Sequence, residues 1–299
     1  MREETGRTPA TVGEAVRAMK EALRAAGVSE AAAKAGWAVA DLIGVGRANV
    51  YLQAHTRLTS KQQCLWVEQC RRLAAHEPLQ YVLGETEFYG RRFVTDQRAL
   101  IPRPETEELV RLALESPELS RKGAAVADVG TGSGVIAVTL ALQQPGAHLI
   151  GVDCSWAALS LAMDNAQRHG VAYRIQWQIG NLLAGFAPRS LDVVIANLPY
   201  VPTAVWRRLE RQIRDFEPRK ALDGGPDGLR WIRRLIPQAA CVLRSNGLLL
   251  LEIGDDQGAR VRRFLESAGF AAIEIRRDLA GRDRFALGRV NMTGARPSF

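Results

Sequence analysis

The 299-residue chain is long enough for one large or two ordinary domains. Its apolar fraction, 47%, is that of a globular protein, and its longest apolar runs, such as 193–196 and 248–251, are too short to cross a bilayer. A net charge of +8, carried almost wholly by arginine, favours nucleic-acid or ribosome-linked partners. No basic run of five or more occurs, so a solvated arginine-rich surface accounts for the charge equally well.

The start of the chain, 1–7, is polar and has no apolar h-region, so no signal peptide is expected and a cytoplasmic location is the default. Four scattered cysteines (Cys64, Cys70, Cys154, Cys241) with no CxxC read as reduced, partly buried thiols. Four histidines (His55, His76, His148, His169) lack metal-ligand spacing, so no metal site is expected.

In chain order, 8–76 reads as all-helical. Thr11 precedes a helical pattern through Val16, Met19, Leu23 and Ala26 that Gly27 stops; Ser29-Glu30 opens a second helix to Ile43; Thr59-Ser60 caps a third carrying Trp66, Cys70 and Leu73. This predicts a small helical bundle at 1–76, either a substrate-docking module or a packing appendage. Alternating apolar residues and glycines at 77–103 suggest a β-hairpin linker. Pro104 suits a helix N1 position and Glu105 and Glu107 its first turn, which opens a domain at 104–290. From Ala124 onward strands alternate with helices: strands at 124–128, 149–152, 173–179, 191–196, 248–253, 271–276 and 284–287, helices at 135–142, 155–169, 229–243 and 256–268. That alternation predicts an α/β fold with a doubly wound, mostly parallel sheet. The tail, 291–299, is expected to fray.

Two constellations carry chemistry. Asp128-Val129-Gly130-Thr131-Gly132-Ser133-Gly134 leaves a strand and opens a helix, where glycines let backbone approach a ligand. Asp153 ends the next strand, about 20 residues on, where a carboxylate accepts from both ribose hydroxyls of an adenosine. The spacing is GxGxG rather than GxGxxG and no P-loop lysine follows, so a nucleoside without a pyrophosphate fits, S-adenosylmethionine (SAM) being the common one. The second constellation is Asn197-Leu198-Pro199-Tyr200, at the carboxyl end of an apolar strand. Asn197 offers an amide oxygen, Leu198 a backbone carbonyl and Tyr200 a flat face: a cup for a planar group carrying NH2. A strand end followed by a turn is the plainer alternative.

These stretches, with Glu77-Pro78-Leu79-Gln80-Tyr81, Glu87-Phe88-Tyr89-Gly90-Arg91, Ile101-Pro102-Arg103-Pro104-Glu105-Thr106-Glu107 and Ala221-Leu222-Asp223-Gly224-Gly225-Pro226-Asp227-Gly228, resemble the HemK/PrmC family, SAM-dependent N5-glutamine methyltransferases of peptide chain release factors. The resemblance covers nearly the whole chain. It implies a class I SAM-dependent methyltransferase domain behind an N-terminal helical domain. The implied reaction methylates the glutamine of the Gly-Gly-Gln motif of class I release factors, with S-adenosylhomocysteine as product; a monomer without membrane contact or direct nucleic-acid binding is expected. It assigns SAM to Gly130, Thr131, Gly132, Ser133, Gly134 and Asp153, the adenine to Asn181 and Leu182, and the site beside both SAM and glutamine to Asn197, with Tyr200 packing on the amide plane. Leu198 and Pro199 complete the substrate cup. Arg103 and Glu105 are candidate substrate contacts or a structural pair.

Two positions depart from the family pattern. Leu198 stands where the family has proline; its carbonyl is retained and it precedes Pro199, so only a ring lock worth ~0.4–1 kcal/mol of preorganisation is lost. Retained activity is expected, and a Leu198→Pro variant more than tenfold faster would show the leucine to be a handicap. Asn181-Leu182 replaces an acidic–aromatic pair, so weaker adenine contact is expected. Among other features, Asp223–Gly228 is a lid or a loop with a capping Asp227, Glu252 faces the site or completes the sheet edge, and Trp156 and Trp177 are core or adenine wall. The competing functions are a ribosomal-protein glutamine methyltransferase, a nucleic-acid exocyclic-amine methyltransferase and a silent SAM-binding scaffold.

Overall fold

A computed structural model describes residues 8–291; the polar start and, beyond Asn291, the tail lie outside the described residues. The chain forms two compact units, one running to Glu85 and including Arg211–Phe216, the other comprising Thr86–Glu210 and the chain from Glu217 on. Among the described residues no helix is long and apolar enough to cross a membrane.

In the first unit, helix α1 (Val12–Ala25) opens on a capping box in which the Thr11 hydroxyl accepts from the Glu14 amide and the Glu14 carboxylate accepts from the Thr11 amide. Val12, Ala15, Met19 and Leu23, at helical spacing, are fully buried. Helix α2 (Ala31–Leu42) starts where expected, but without a side-chain cap: Glu30 at its N-cap sits at φ 53. Helix α3 (Ser60–Ala74) repeats the capping box with Thr59 and Gln62, and its Trp66 indole donates to the Ala15 carbonyl at 3.1 Å. The stretch after Pro78 is helical, α4 (Leu79–Leu83), rather than part of a hairpin, and Gly84 at φ 77 stops it. The Arg72 guanidinium explains the difference. It is paired with Glu77 and donates to the Tyr81 carbonyl at 2.9 Å, satisfying helix-end groups that alternation in the sequence cannot reveal. The hairpin is confined to β1 (Glu85–Phe88) and β2 (Arg91–Val94).

The second unit continues with α5 (Pro104–Leu114), β3 (Ala125–Val129), α6 (Val135–Gln143), β4 (His148–Asp153), α7 (Trp156–Arg168), β5 (Ile175–Ile179), β6 (Leu191–Ala196) and α8 (Thr203–Trp206). After α9 (Arg211–Arg214), which clusters with the first unit, come α10 (Arg230–Val242), β7 (Leu243–Glu252), α11 (Gly258–Ser267), β8 (Phe270–Arg277) and β9 (Asp283–Val290). The turns α8 and α9 were not anticipated, because four residues are too few to display a period. The sheet order is β5-β4-β3-β6-β7-β9-β8, with β3 to β7 parallel and β9 antiparallel to both neighbours. Every residue of β6 is buried, Val193 and Ile195 packing into one apolar layer and Val194 and Ala196 into the other, as a strand covered on both faces requires.

The sheet order reverses direction at β3 and β6, and a doubly wound sheet opens its ligand crevice at the carboxyl ends of such strands. The register fixes what meets there. Val129 pairs with Val152 on one side and with Ala196 on the other, and Ala196 pairs with Leu251. The next residues, Asp153, Gly130, Asn197 and Glu252, therefore form one row across four neighbouring strands.

Packing behind that row is tight. A Cβ at Gly151, inside β4, would lie 2.3 Å from the Trp177 ring. Overpacking of this kind costs about 1–3 kcal/mol. We expect Gly151→Ala to lower unfolding free energy by that amount in urea titration; a loss below 0.5 kcal/mol would show that the ring moves aside freely.

Candidate active site

The turn after β3 needs left-handed backbone at Gly130 (φ 76), Gly132 (φ 56) and Gly134 (φ 79). Asp153 organises it: Oδ2 accepts from the Gly132 amide at 3.0 Å and Oδ1 from the Ser155 amide at 2.9 Å. Asp128 lies beneath, where Oδ2 accepts from the Thr131 hydroxyl at 2.6 Å and the Ala137 amide at 3.1 Å, while buried Oδ1 has no partner. Burial pushes the Asp128 carboxyl up to about 7, against the pull of the Thr131 and Ala137 hydrogen bonds, with Asp153 adding to the rise. A Cβ at Gly130 would sit 2.9 Å from Leu198 Cδ2, so the leucine at the departing position is seated on the glycine turn.

Past the end of β6, the Asn197 Nδ2 donates to the Thr106 hydroxyl at 3.0 Å, Thr106 donates to Glu252 Oε2 at 2.8 Å, and the Tyr200 hydroxyl donates to Glu252 Oε1 at 3.2 Å. With its donor end committed to Thr106, the Asn197 amide presents Oδ1. Among the described residues neither that oxygen nor the Leu198 carbonyl carries a hydrogen bond. Burial, and next the Glu252 charge, raise the Tyr200 phenol well above its ordinary value, so it stays a donor. Glycine-rich 223–228 packs directly under the cup: a Cβ at Gly224 would come within 2.6 Å of the Pro199 carbonyl oxygen and one at Gly228 within 2.3 Å of the Tyr200 carbonyl oxygen. The Gln257 side chain also donates to the Tyr200 carbonyl, at 2.9 Å. The loop thus buttresses the cup, and Asp227, which accepts from the Leu229 amide and pairs with Arg233, helps start α10.

A cavity of about 660 Å³ runs over the turn, lined by Gly130 to Ser133, Asp153, Asn181, Leu182, Arg103 and Asn197 to Pro199. A smaller one of about 50 Å³ shares Arg103, Asn197, Leu198 and Pro199 with it and adds Tyr200 and Glu252. The two meet at the cup.

Most residues singled out in the sequence line one of these cavities; Gly134, Glu105, Trp156 and Trp177 do not. Gly134 does not line either cavity, and a Cβ there would meet Ala162 at 2.8 Å, so its backbone packs closely against α7. Glu105 is exposed on the first turn of α5 and lines neither cavity. Trp156 is exposed and lines neither cavity, whereas Trp177 packs against the core behind the turn, the core alternative read from the sequence. Three of the cysteines, Cys64, Cys154 and Cys241, are exposed rather than partly buried. Arg103 lines both cavities and pairs at 2.5 Å with buried Glu217, which also accepts from the Ile101 amide. Burial raises the Glu217 carboxyl and the Arg103 charge opposes the rise. Thr106 was not anticipated; its signal was its place between Arg103 and Glu107 in a stretch already singled out. Glu252, left open by the sequence, faces the site.

Comparison with known proteins decides the family. Residues 14–84 match the PrmC N-terminal domain and 110–209 the methyltransferase small domain. A release factor glutamine methyltransferase from Nitratidesulfovibrio vulgaris is 43% identical over 79% of this chain and 81% of its own length; one from Cereibacter sphaeroides is 38% identical over 93% and 98%. The chain belongs to the release factor glutamine methyltransferase family. A solved protein-(glutamine-N5) methyltransferase (release factor-specific) from Alicyclobacillus acidocaldarius is 29% identical over 67% of this chain and 99% of that one, with a TM-score of 0.40. In this family member, the sheet order and glycine turn are those of a class I SAM-dependent methyltransferase domain.

The residues present suit an adenosyl ligand. The larger cavity matches the volume range of small-molecule sites. Asp153 presents a carboxylate at its rim, the three left-handed turn glycines let backbone approach, and Asn181 supplies a neutral polar edge beside apolar Leu182.

Proposed function

We propose that this protein methylates the side-chain amide nitrogen of the glutamine in the Gly-Gly-Gln motif of class I release factors, with SAM as donor and S-adenosylhomocysteine as product. The observation that carries this reading is the pair of unpartnered acceptors, Asn197 Oδ1 and the Leu198 carbonyl, where a nucleoside-sized cavity joins an amide-sized one. SAM, when bound, supplies a methyl already activated by its sulfonium.

The chain's residues have three tasks. Asp153 and the glycine turn hold the nucleoside, fixing the donor's position. Tyr200, whose ring borders the smaller cavity, supports the amide plane. Asn197 Oδ1 and the Leu198 carbonyl accept both hydrogens of the substrate NH2, which favours a nitrogen that pyramidalises as it attacks. As the N–C bond forms and the S–C bond breaks, positive charge grows on nitrogen, and the same two oxygens stabilise it, the logic of an oxyanion hole with the sign reversed. The nitrogen gives up one proton after transfer, so no strong base is required.

The test is incubation with labelled SAM and, separately, a release factor, its Gly-Gly-Gln glutamine→alanine variant, ribosomal protein and DNA. Label is expected on the intact release factor alone. Label on DNA but not on the release factor, or undiminished label on the alanine variant, would overturn the reading.

A further inference from the structure

An asparagine amide can sit either way round, and only one way leaves an acceptor facing a substrate NH2. In this structure the choice is made by a chain of hydrogen bonds, not by Asn197 itself. Thr106 has one hydroxyl hydrogen. Because that hydrogen goes to Glu252 Oε2, the oxygen is left to accept, and what it accepts is Asn197 Nδ2–H. The polarity therefore originates at Glu252, which is 1% exposed and accepts at both oxygens, from Thr106 and from Tyr200.

We propose that Thr106 and Glu252 are positioning residues that set which end of the Asn197 amide faces the substrate, and that they do so only while Glu252 is a carboxylate. This rests on the proposed glutamine methylation. A proton on Oε2 makes that oxygen the donor to Thr106. The Thr106 hydrogen then turns toward Asn197, where it is satisfied by Oδ1, and the amide rotates to present NH2 to the substrate NH2: two donors face to face. No covalent bond changes beyond the proton on Glu252.

The groups facing Glu252 make the switch accessible near neutrality. Burial in the sheet pushes its carboxyl up to about 7, the hydrogen bonds from Thr106 and Tyr200 and the charge of Arg284 on β9 oppose the rise, and Glu105 on α5 adds to it. The carboxylate, and with it the productive amide orientation, is lost as pH falls through that value.

The test uses the full-length protein at saturating SAM and release factor. Wild-type kcat is expected to show an acid limb near pH 7. Thr106→Val should lower kcat roughly 10- to 100-fold, the usual effect of removing a group that orients a reacting-site ligand, and abolish the limb, with the KM for SAM within about threefold. Thr106→Ser should restore both. Glu252→Gln should be slow and flat across the limb. A merely structural pair would alter stability without moving the pH profile. In parallel, the Asn197 side-chain NH2 resonance of the ligand-free protein should titrate with pH and stop doing so in Glu252→Gln. If Thr106→Val keeps kcat within threefold, or the limb survives in both variants, or the Asn197 resonance does not titrate, the inference fails. If the resonance titrates while the release factor goes unmethylated, the orienting device stands and the functional reading falls.

Discussion

Replacing Asn197 with alanine is expected to lower kcat for glutamine methylation about 100- to 1,000-fold, the loss seen when one preorganised partner of a developing charge is removed. The KM for SAM should stay within a few fold, because the proposed reading has Asp153 and the glycine turn, rather than Asn197, hold most of the nucleoside. Rapid-quench single-turnover assays with labelled SAM separate this from slow product release. A variant retaining more than a tenth of wild-type single-turnover rate would mean that the Leu198 carbonyl suffices. The effect should exceed that of Thr106→Val, since alanine removes the acceptor whereas valine only frees it to turn.

Removing the Asp153 carboxylate acts on binding instead. In the proposed site Asp153 is the acceptor for the two ribose hydroxyls, so Asp153→Ala would delete it and would also leave the Gly132 amide unpaired. Hydrogen bonds to a charged group are worth about 1.5–3 kcal/mol each, so the SAM dissociation constant measured by calorimetry should rise about 100-fold or more, tenfold per 1.4 kcal/mol. Asp153→Asn keeps the shape and one acceptor and should fall between. A dissociation constant within threefold of wild type in the alanine variant would place the ribose elsewhere.

How much of this was legible in the sequence follows from how local each signal is. The glycine turn, Asp153 and Asn197 could be read because each stands next to an apolar strand whose direction is unambiguous, and a doubly wound sheet puts such ends together. Spacing within a glycine run does not distinguish a glycine that faces a ligand from one that faces a helix, and Gly134 lies close against Ala162. The sequence left Glu105 open and did not single out its neighbour: on a helix, neighbours point about 100° apart, and it is Thr106 that turns inward, 3% exposed. The Thr106–Glu252 bond was hidden because 146 residues separate its partners, joined only once α5 packs against β7. The helix α4 was hidden for the opposite reason, five residues being too few for alternation and helical period to be told apart.

The row of Asp153, Gly130, Asn197 and Glu252 has a consequence for how this protein can be handled in the laboratory. Each member directly follows a position in the register that joins these strands, so a slip of one residue in any of the four carries its group about 3.3 Å along the sheet and turns the side chains of Asp153, Asn197 or Glu252 to the opposite face. A molecule can then keep its secondary structure and much of its apolar packing and still have no cup. Turnover per mole of protein after refolding therefore reports strand pairing, something circular dichroism cannot see, and would serve as a register gauge for this sheet.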